Sequence, residues 1–271
     1  MKAISLIDLD DSVFQSRKKC PSNAELTPAA VDRKGNWHSF LTPQQLAFVQ
    51  LLDAGGTVIP VTARETDGFR RVRMRFSSFA VTSFGAVILT PAGEIEPHWH
   101  SYIQEQSAKV ADDLAGCHHI LAQMAEIENI DARIYKIVDA GLSLYVNAKH
   151  NGHNVEELRL LAMMFSAALP SGWKMHFNGN NLAILPPYIG KEYAVEYYLK
   201  NLAPSHSFVL GLGDSFTDLG FMGLCDYAIT PTRGQVFDHL KSIDIAARLA
   251  APLAVKQTSK GETNEHHPLV A

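Results

Sequence analysis

Short apolar runs alternate with helical periods along most of this chain. Residues 3–7 (AISLI) form a compact, partly β-branched run that predicts a buried strand. Over 42–54 (TPQQLAFVQLLDA), Leu46, Phe48, Val49, Leu51 and Leu52 make a broad apolar helical face. Thr42 is placed to cap that helix, Pro43 suits its first position, and Gly55-Gly56 ends it. A second strand is predicted over 57–61, a weaker third over 80–83, and another run follows Gly85 over 86–89. Strand, helix, strand with tight connections predicts a parallel sheet with right-handed crossovers.

The middle of the chain changes character. Residues 98–125 read as one long, moderately polar helix, and 132–138 and 142–148 as strands about the turn Asp139-Ala140-Gly141. A further helix is predicted over 155–169, closed by Pro170-Ser171-Gly172. Strand-like runs at 173–177 and 182–185 then flank Asn178-Gly179-Asn180-Asn181, a strong hairpin signal. Helix, hairpin, helix, hairpin describes an α+β insert, and Pro186-Pro187 marks its exit.

Beyond it the first pattern resumes: helix over 191–202, buried strand over 207–212 ending at Gly213-Asp214, helix over 216–224, strand over 227–229 and helix over 236–250. The fold class is α/β, a doubly wound parallel-sheet core carrying an inserted α+β cap. The core is assigned to 1–89 and 188–254, the cap to 90–187, and a polar, loosely ordered tail to 255–271. His266-His267 in that tail have no flanking ligand residues and read as solvated.

Composition narrows the function classes. At 271 residues the chain can bury a large core, as one big domain or two of moderate size. A net charge of -4 gives no electrostatic footprint for nucleic acid or an anionic membrane. Cys20, Cys117 and Cys225 are odd in number and without a CxxC pair, which argues against a disulfide framework or structural zinc and suits a reducing compartment. No apolar stretch approaches a membrane span, and Met1-Lys2 leads into a strand rather than a signal peptide, so a cytoplasmic location is expected.

The chemistry collects where strands end. Asp8-Leu9-Asp10 follows the first strand, at the edge where open α/β sheets place ligands. Such a pair can hold a hard cation or divide into a nucleophile and a proton donor; alone, it is more often a solvated loop. Thr62-Ala63-Arg64 closes the second strand with a hydroxyl and free backbone N–H groups, a cradle for a phosphate. Lys191 opens a helix after the insert, where an ammonium can neutralise an oxyanion. Asp214 and Asp218, four residues apart around Ser215, can face one point. Each signal alone is weak.

Taken in order, DxD, Thr, Lys and GDxxxD resemble the haloacid dehalogenase superfamily of phosphotransferases, over most of the chain. The position of the insert resembles that superfamily's sugar-phosphate phosphatase branch, similar to the sucrose-phosphate, mannosylglycerate-phosphate and Cof-type phosphatases. "SFGAVIL" over 83–89 resembles that branch's "NGA" segment before the cap. The resemblance implies that Asp8 is a nucleophile forming an aspartyl-phosphate and that Asp10 is the proton shuttle. It implies that Thr62, the Ala63 N–H and Lys191 hold the phosphoryl group, and that Asp8, the Asp10 carbonyl, Asp214 and Asp218 hold Mg²⁺. On that basis Asp10 needs a raised pKa and Asp8 an ionised carboxylate.

Two departures stand out. The usual DxDGT reads Asp8-Leu9-Asp10-Asp11-Ser12, so a carboxylate replaces a glycine, with strain expected if that position has φ > 0. The usual Asn before the last Asp is Thr217. For substrate contacts the candidates are Arg64, Tyr188, Gly190 and Ser215 near the cleft, with Lys136, Asn147, Lys149, His176, Asn178 and Asn180 on the cap strands. The leading expectation is a Mg²⁺-dependent phosphatase of a small phosphorylated metabolite. Its competitors are a phosphotransferase of the same fold and a phosphorylatable receiver-like module, for which the chain is long.

Overall fold

The computed structural model describes residues 3–205 and 208–243. Strand β1 (Ala3–Ile7) leads into β2 (Gln15–Ser16), β3 (Thr27–Val31) and β4 (Trp37–Leu41). Helix α1 (Pro43–Gly55) returns the chain to β5 (Gly56–Pro60), and α2 (Thr66–Arg70) precedes β6 (Ala80–Thr82) and β7 (Val87–Leu89). The insert contains α3 (Pro97–Lys109), α4 (Ala111–Ile127), β8 (Ala132–Asp139), β9 (Leu142–His150), α5 (Val155–Phe165), β10 (Lys174–Asn178) and β11 (Asn181–Leu185). Then come α6 (Lys191–Asn201), β12 (Phe208–Leu212), α7 (Leu219–Met222), β13 (Tyr227–Ile229) and α8 (Gln235–Ser242).

Four strands form a parallel sheet in the order β13-β12-β1-β5. Its register sets the site, because Ile7 lies level with both Pro60 and Leu212. Ladder bonds continue one residue further, from Asp8 N to the Leu212 carbonyl (2.8 Å) and from Val61 N to the Ile7 carbonyl (2.7 Å). Asp8, Thr62 and Asp214 therefore leave the sheet together at its carboxyl edge, where the order of strands reverses direction around β1. Thr42 caps α1 as expected, and does so through a full capping box with Gln45.

The insert is a second, antiparallel sheet in the order β10-β11-β9-β8. Its strands alternate in period two. Val146, Ala148, Leu182 and Ile184 pack beneath Leu121 of α4 and Leu158 of α5, whereas Tyr145, Asn147, His176 and Ala183 face the parallel-sheet body. The turn expected at Asp139-Ala140-Gly141 has positive φ at both Ala140 (49°) and Gly141 (78°), which is the twist a two-residue hairpin loop requires. Asp139 also ties the two bodies, accepting from Thr66 N (2.7 Å) and Ser83 Oγ (2.5 Å).

Several expectations are corrected. Residues 98–125 are two helices rather than one, broken at Val110 (φ −119°, ψ 18°). The two halves bury different faces: Trp99 and Ile103 join the cluster around β1 and β5, whereas Leu114, Cys117 and Leu121 join the insert's own cluster. The runs near 80 and 86 form an antiparallel hairpin, joined to the end of β5 by a Val61–Val81 bridge rather than as further strands of the parallel sheet. The sheet β2-β4-β3 has no counterpart in the sequence-based expectations. Its signal was the turn at Asp32, whose carboxylate accepts from Lys34 N (2.8 Å) and Asn36 N (2.9 Å), followed by Gly35 at φ 84°. The helix expected over 216–224 shrinks to α7, because the Asp218 carboxylate folds back onto Ser215 N and Oγ. Ser207, the second half of the helix expected over 236–250, the tail from 255 and His266-His267 lie outside the described residues. Among the described residues no helix is long and apolar enough to cross a membrane.

Candidate active site

The carboxyl edge of the parallel sheet brings together residues far apart in the chain. Lys191, at the first position of α6, is 3% exposed, and its Nζ donates to Asp8 Oδ1 and Asp218 Oδ1, both at 2.6 Å. Asp8, Asp214 and Asp218 each present a carboxylate oxygen, and the three oxygens lie within 4.8 Å of one another. Ser12 Oγ donates to Asp214 Oδ1 (3.1 Å), so the hydroxyl that replaces a threonine in the DxDGT pattern braces this acid. Close backbone approach is needed here. A Cβ on Gly213 would lie 2.3 Å from Asp218 Cβ, and one on Gly234 would lie 2.8 Å from Asp214 Cβ.

Burial dominates the electrostatics. It pushes the Asp8 carboxyl well above the usual range, opposed by Lys191 and reinforced by Asp218 and Asp10. Burial and the neighbouring Asp218 and Asp11 likewise raise Asp214 to about 6. Burial works against the Lys191 charge, but Asp218 and Asp8 more than offset it and hold the ammonium protonated. The ionised Asp8 expected from sequence is thus disfavoured by its surroundings within the chain. Three carboxylates around one ammonium leave two formal negative charges uncompensated, and the donors are all hard oxygens. That donor set fits a divalent cation of the Mg²⁺ type.

Asp10 is placed differently from expectation. Arg64 Nε donates to its Oδ2 (2.6 Å) and Arg64 Nη2 to its Oδ1 (2.7 Å), so both carboxylate oxygens act as acceptors in a bidentate pair. Arg64 also lies over the Phe14 ring (5.1 Å) and donates its backbone N–H to Thr62 Oγ1 (3.1 Å). It is therefore a brace for both loops. Thr62 Oγ1 keeps its own proton for an acceptor, and Thr62 itself is fully buried.

Three cavities reach this centre. The first, about 330 Å³, is lined by Asp10, Ala63, Arg64, Phe84, Asn147 and His176 among others. The second, about 400 Å³, reaches Lys191, Gly190 and Thr217. The third, about 420 Å³, reaches Asp11 and Asp214. Of the expected cap contacts, Asn147, His176 and Asn178 line the first cavity. Lys136 is exposed on the opposite face of β8 from Tyr135 and Ile137, and Lys149 lines a separate cavity with Arg33 and Arg133. Asn180 donates to the His150 carbonyl (2.8 Å) as a turn residue.

Tyr188 does not reach the cleft as expected; it is buried in the core cluster, with its hydroxyl unpartnered. Ser215 is likewise buried, its hydroxyl donating to Asp218 Oδ2 (2.7 Å) and meeting Thr217 Oγ1 (2.8 Å). Gly190 lines the second cavity and packs so closely on Gly85 that a Cβ there would meet its carbonyl at 2.3 Å. Phe84, Glu65, Arg71, Tyr135 and Tyr145 line the first cavity and were not anticipated. The alternation of Tyr135 with Ile137, and of Tyr145 with Asn147, was the available signal.

No family model and no curated protein matches the sequence. Among solved structures, the C-terminal domain of C. albicans trehalose-6-phosphate phosphatase superposes with a TM-score of 0.50 at 12% identity, over 82% of this chain and 73% of that one. A haloacid dehalogenase-like hydrolase from Bacteroides thetaiotaomicron gives 0.49 at 12% identity, over 89% and 99%. The sucrose-phosphatase from Synechocystis, in complex with sucrose and phosphate, gives 0.47 at 15% identity, over 90% and 97%. Sheet order, insert and superposition agree on architecture, and this chain has the haloacid dehalogenase fold, a Rossmann-like parallel-sheet core with an inserted α+β cap.

Proposed function

We propose that this chain is a Mg²⁺-dependent phosphatase of a small phosphorylated metabolite, with a sugar phosphate as the substrate class. The observation that carries this is the buried Lys191 ammonium shared by Asp8 and Asp218 at the sheet's carboxyl edge, with Asp214 alongside. A phosphate ester and a carboxylate nucleophile repel each other, so the attack needs cationic groups between them. Lys191 supplies one such charge. Asp8, Asp214 and Asp218 would hold Mg²⁺, which supplies further neutralisation of phosphoryl charge.

In this reading the Asp8 carboxylate displaces the leaving alcohol and becomes an aspartyl-phosphate, splitting one hard hydrolysis into two steps. Thr62 Oγ1 and the Ala63 N–H bind phosphoryl oxygens. Once Arg64 yields one of the two Asp10 carboxylate oxygens, Asp10 takes up a proton from solvent, gives it to the leaving oxygen, and then takes one from the attacking water. Residues 90–187 act as the cap, excluding water over the first cavity. The names of the superposed sugar-phosphate phosphatases, and the amides of Asn147, Asn178 and Asn181 in that cavity, support a hydroxyl-bearing leaving group. No membrane or nucleic-acid partner enters this reading, and a cytoplasmic location is part of it.

The test is a screen of phosphorylated metabolites and p-nitrophenyl phosphate for Mg²⁺-dependent phosphate release. We expect turnover that Asp8→Asn abolishes. Transfer of phosphate to another position without release would make the chain a phosphotransferase, and no turnover of any phosphoester would overturn the proposal.

A further inference from the structure

The segment before β7 is the most strained stretch among the described residues. Ser83, Phe84 and Gly85 are consecutively left-handed, with φ of 51°, 56° and 96°. A glycine is at home there; a bulky aromatic residue is not. Such a conformation persists where the surroundings over-determine it, and those surroundings are explicit. Ser83 N donates to the Arg64 carbonyl (2.7 Å) and Phe84 N to the Thr62 carbonyl (3.2 Å), tying the segment to the phosphate cradle. Trp99 Nε1 donates to the Gly85 carbonyl (2.9 Å).

The strain aims one ring. Phe84 meets Tyr145 edge-on (centroids 5.5 Å apart, 84°) and His176 likewise (5.3 Å, 69°). Burial and Lys191 lower His176 to about 4, so its ring is neutral near pH 7. Phe84 and His176 are also the two residues that line both the first and the second cavity. On the first side the walls carry Asp10, Arg64 and the Asn amides; on the second an apolar wall of Met175, Phe177, Leu185 and Ile189 stands beside Lys174, Lys191 and Glu192. At about 330 and 400 Å³, each chamber has room for a compact ligand only, at the lower end of the range for small-molecule sites. Joined, they would admit a much larger molecule.

We propose that Phe84 is a specificity-determining residue: with His176 it forms a partition that confines the leaving group to the polar chamber beside Asp10. The partition admits compact, hydroxyl-bearing phosphoesters and excludes those whose leaving group is bulky and apolar. This rests on the phosphatase reading for the identity of the ligand, but not for the partition itself.

The test measures binding by calorimetry in the Asp8→Asn protein with Mg²⁺, so that no turnover is needed. The probes are glucose 6-phosphate and 4-methylumbelliferyl phosphate. Phe84→Ala should shift the affinity ratio toward the methylumbelliferyl ester by about tenfold, and Phe84→Leu, which keeps a bulky apolar side chain and guards against a folding failure, by less. An unchanged ratio in both variants, or no binding of either probe with Phe84 in place, overturns the proposal. A shifted ratio without phosphate release by the native chain upholds the partition and sinks the phosphatase reading instead.

Discussion

Arg64 holds Asp10 by both carboxylate oxygens, at 2.6 and 2.7 Å, while its own backbone N–H restrains the Thr62 hydroxyl. One residue thus couples the DxD loop on β1 to the cradle after β5. A planar guanidinium sets the angle of a carboxylate as well as its distance, which an ammonium does not.

Arg64→Lys keeps the charge and removes the fork. The Asp10 carboxylate then loses its fixed orientation, and kcat should fall about 10- to 100-fold, the usual penalty for a misplaced reacting group. Mg²⁺ affinity should change much less than kcat, because Arg64 bonds to none of the Asp8, Asp214 and Asp218 carboxylates and its charge is kept. Steady-state rates and metal titration on the same protein separate the two effects. Equal kcat values would mean that the fork has no positioning role.

Lys191 is a larger structural commitment. Truncating it as Lys191→Met strands Asp8 and Asp218 opposite each other in the interior, and breaking a buried pair in this way costs about 3–5 kcal/mol. The loss should appear in urea denaturation at pH 7.5 under chelator. Added Mg²⁺ should recover part of it, since a divalent cation offsets the same two carboxylates. A variant as stable as the parent under chelator would contradict tight coupling of Lys191 to Asp8 and Asp218.

Much of this was legible in the sequence because strand ends carry their own punctuation. β1, β5 and β12 are short apolar runs closed by Asp8, Thr62 and Gly213-Asp214, and parallel pairing forces those closures to one edge. Glycine placement helped as well, since Gly213 reads as a turn and also proves to be the space Asp218 occupies. The sheet β2-β4-β3 escaped because two of its strands are interrupted by polar or small residues and its two-residue member has no period to detect. The break at Val110 escaped because no glycine or proline marks it; it follows from which body each half packs on. Orientation within loops was least accessible. Tyr188 lies three residues from Lys191 yet turns into the core, and the grip of Arg64 on Asp10 depends on side-chain direction, which spacing does not encode.

Buried Asp214 and half-buried His176 respond to pH with opposite sign. Asp214 is raised to about 6 in the folded chain, above its ordinary 3.8, so the folded state binds that proton more tightly than the unfolded state does. Its contribution is favourable below about 4 and is lost as pH rises through 6. His176 is lowered to about 4 from an ordinary 6.5, so its contribution is present above 6.5 and is lost as pH falls toward 4. Under chelator, Asp214→Asn should therefore be more stable than the parent at pH 7.5, by about 1–2 kcal/mol. His176→Asn should flatten the acid limb between pH 6.5 and 4. Denaturation midpoints across pH 4–8 for the three proteins decide it, and an Asp214→Asn protein less stable at pH 7.5 would contradict the desolvation argument.

Asp11 stands in the left-handed region, at φ 66°, where the related motif has glycine. Its carboxylate takes a 2.5 Å contact from Lys19, whose side chain is more than half exposed, so that pair contributes little to stability. The same carboxylate raises Asp214, which places its field at the metal candidates. Conformation and charge can be separated with two variants. Asp11→Asn keeps a side chain that tolerates positive φ and removes the charge; it should weaken Mg²⁺ binding two- to fivefold at low salt, with little change in stability, the effect fading as salt screens the field. Asp11→Gly should weaken Mg²⁺ binding equally and also gain up to about 1 kcal/mol, because relief of the backbone exceeds the added freedom of the unfolded chain. Calorimetric Mg²⁺ titrations at two salt concentrations, beside urea denaturation, read both. If neither variant alters Mg²⁺ affinity while Asp11→Gly alone gains stability, Asp11 is only a strained replacement for glycine and takes no part in holding the metal.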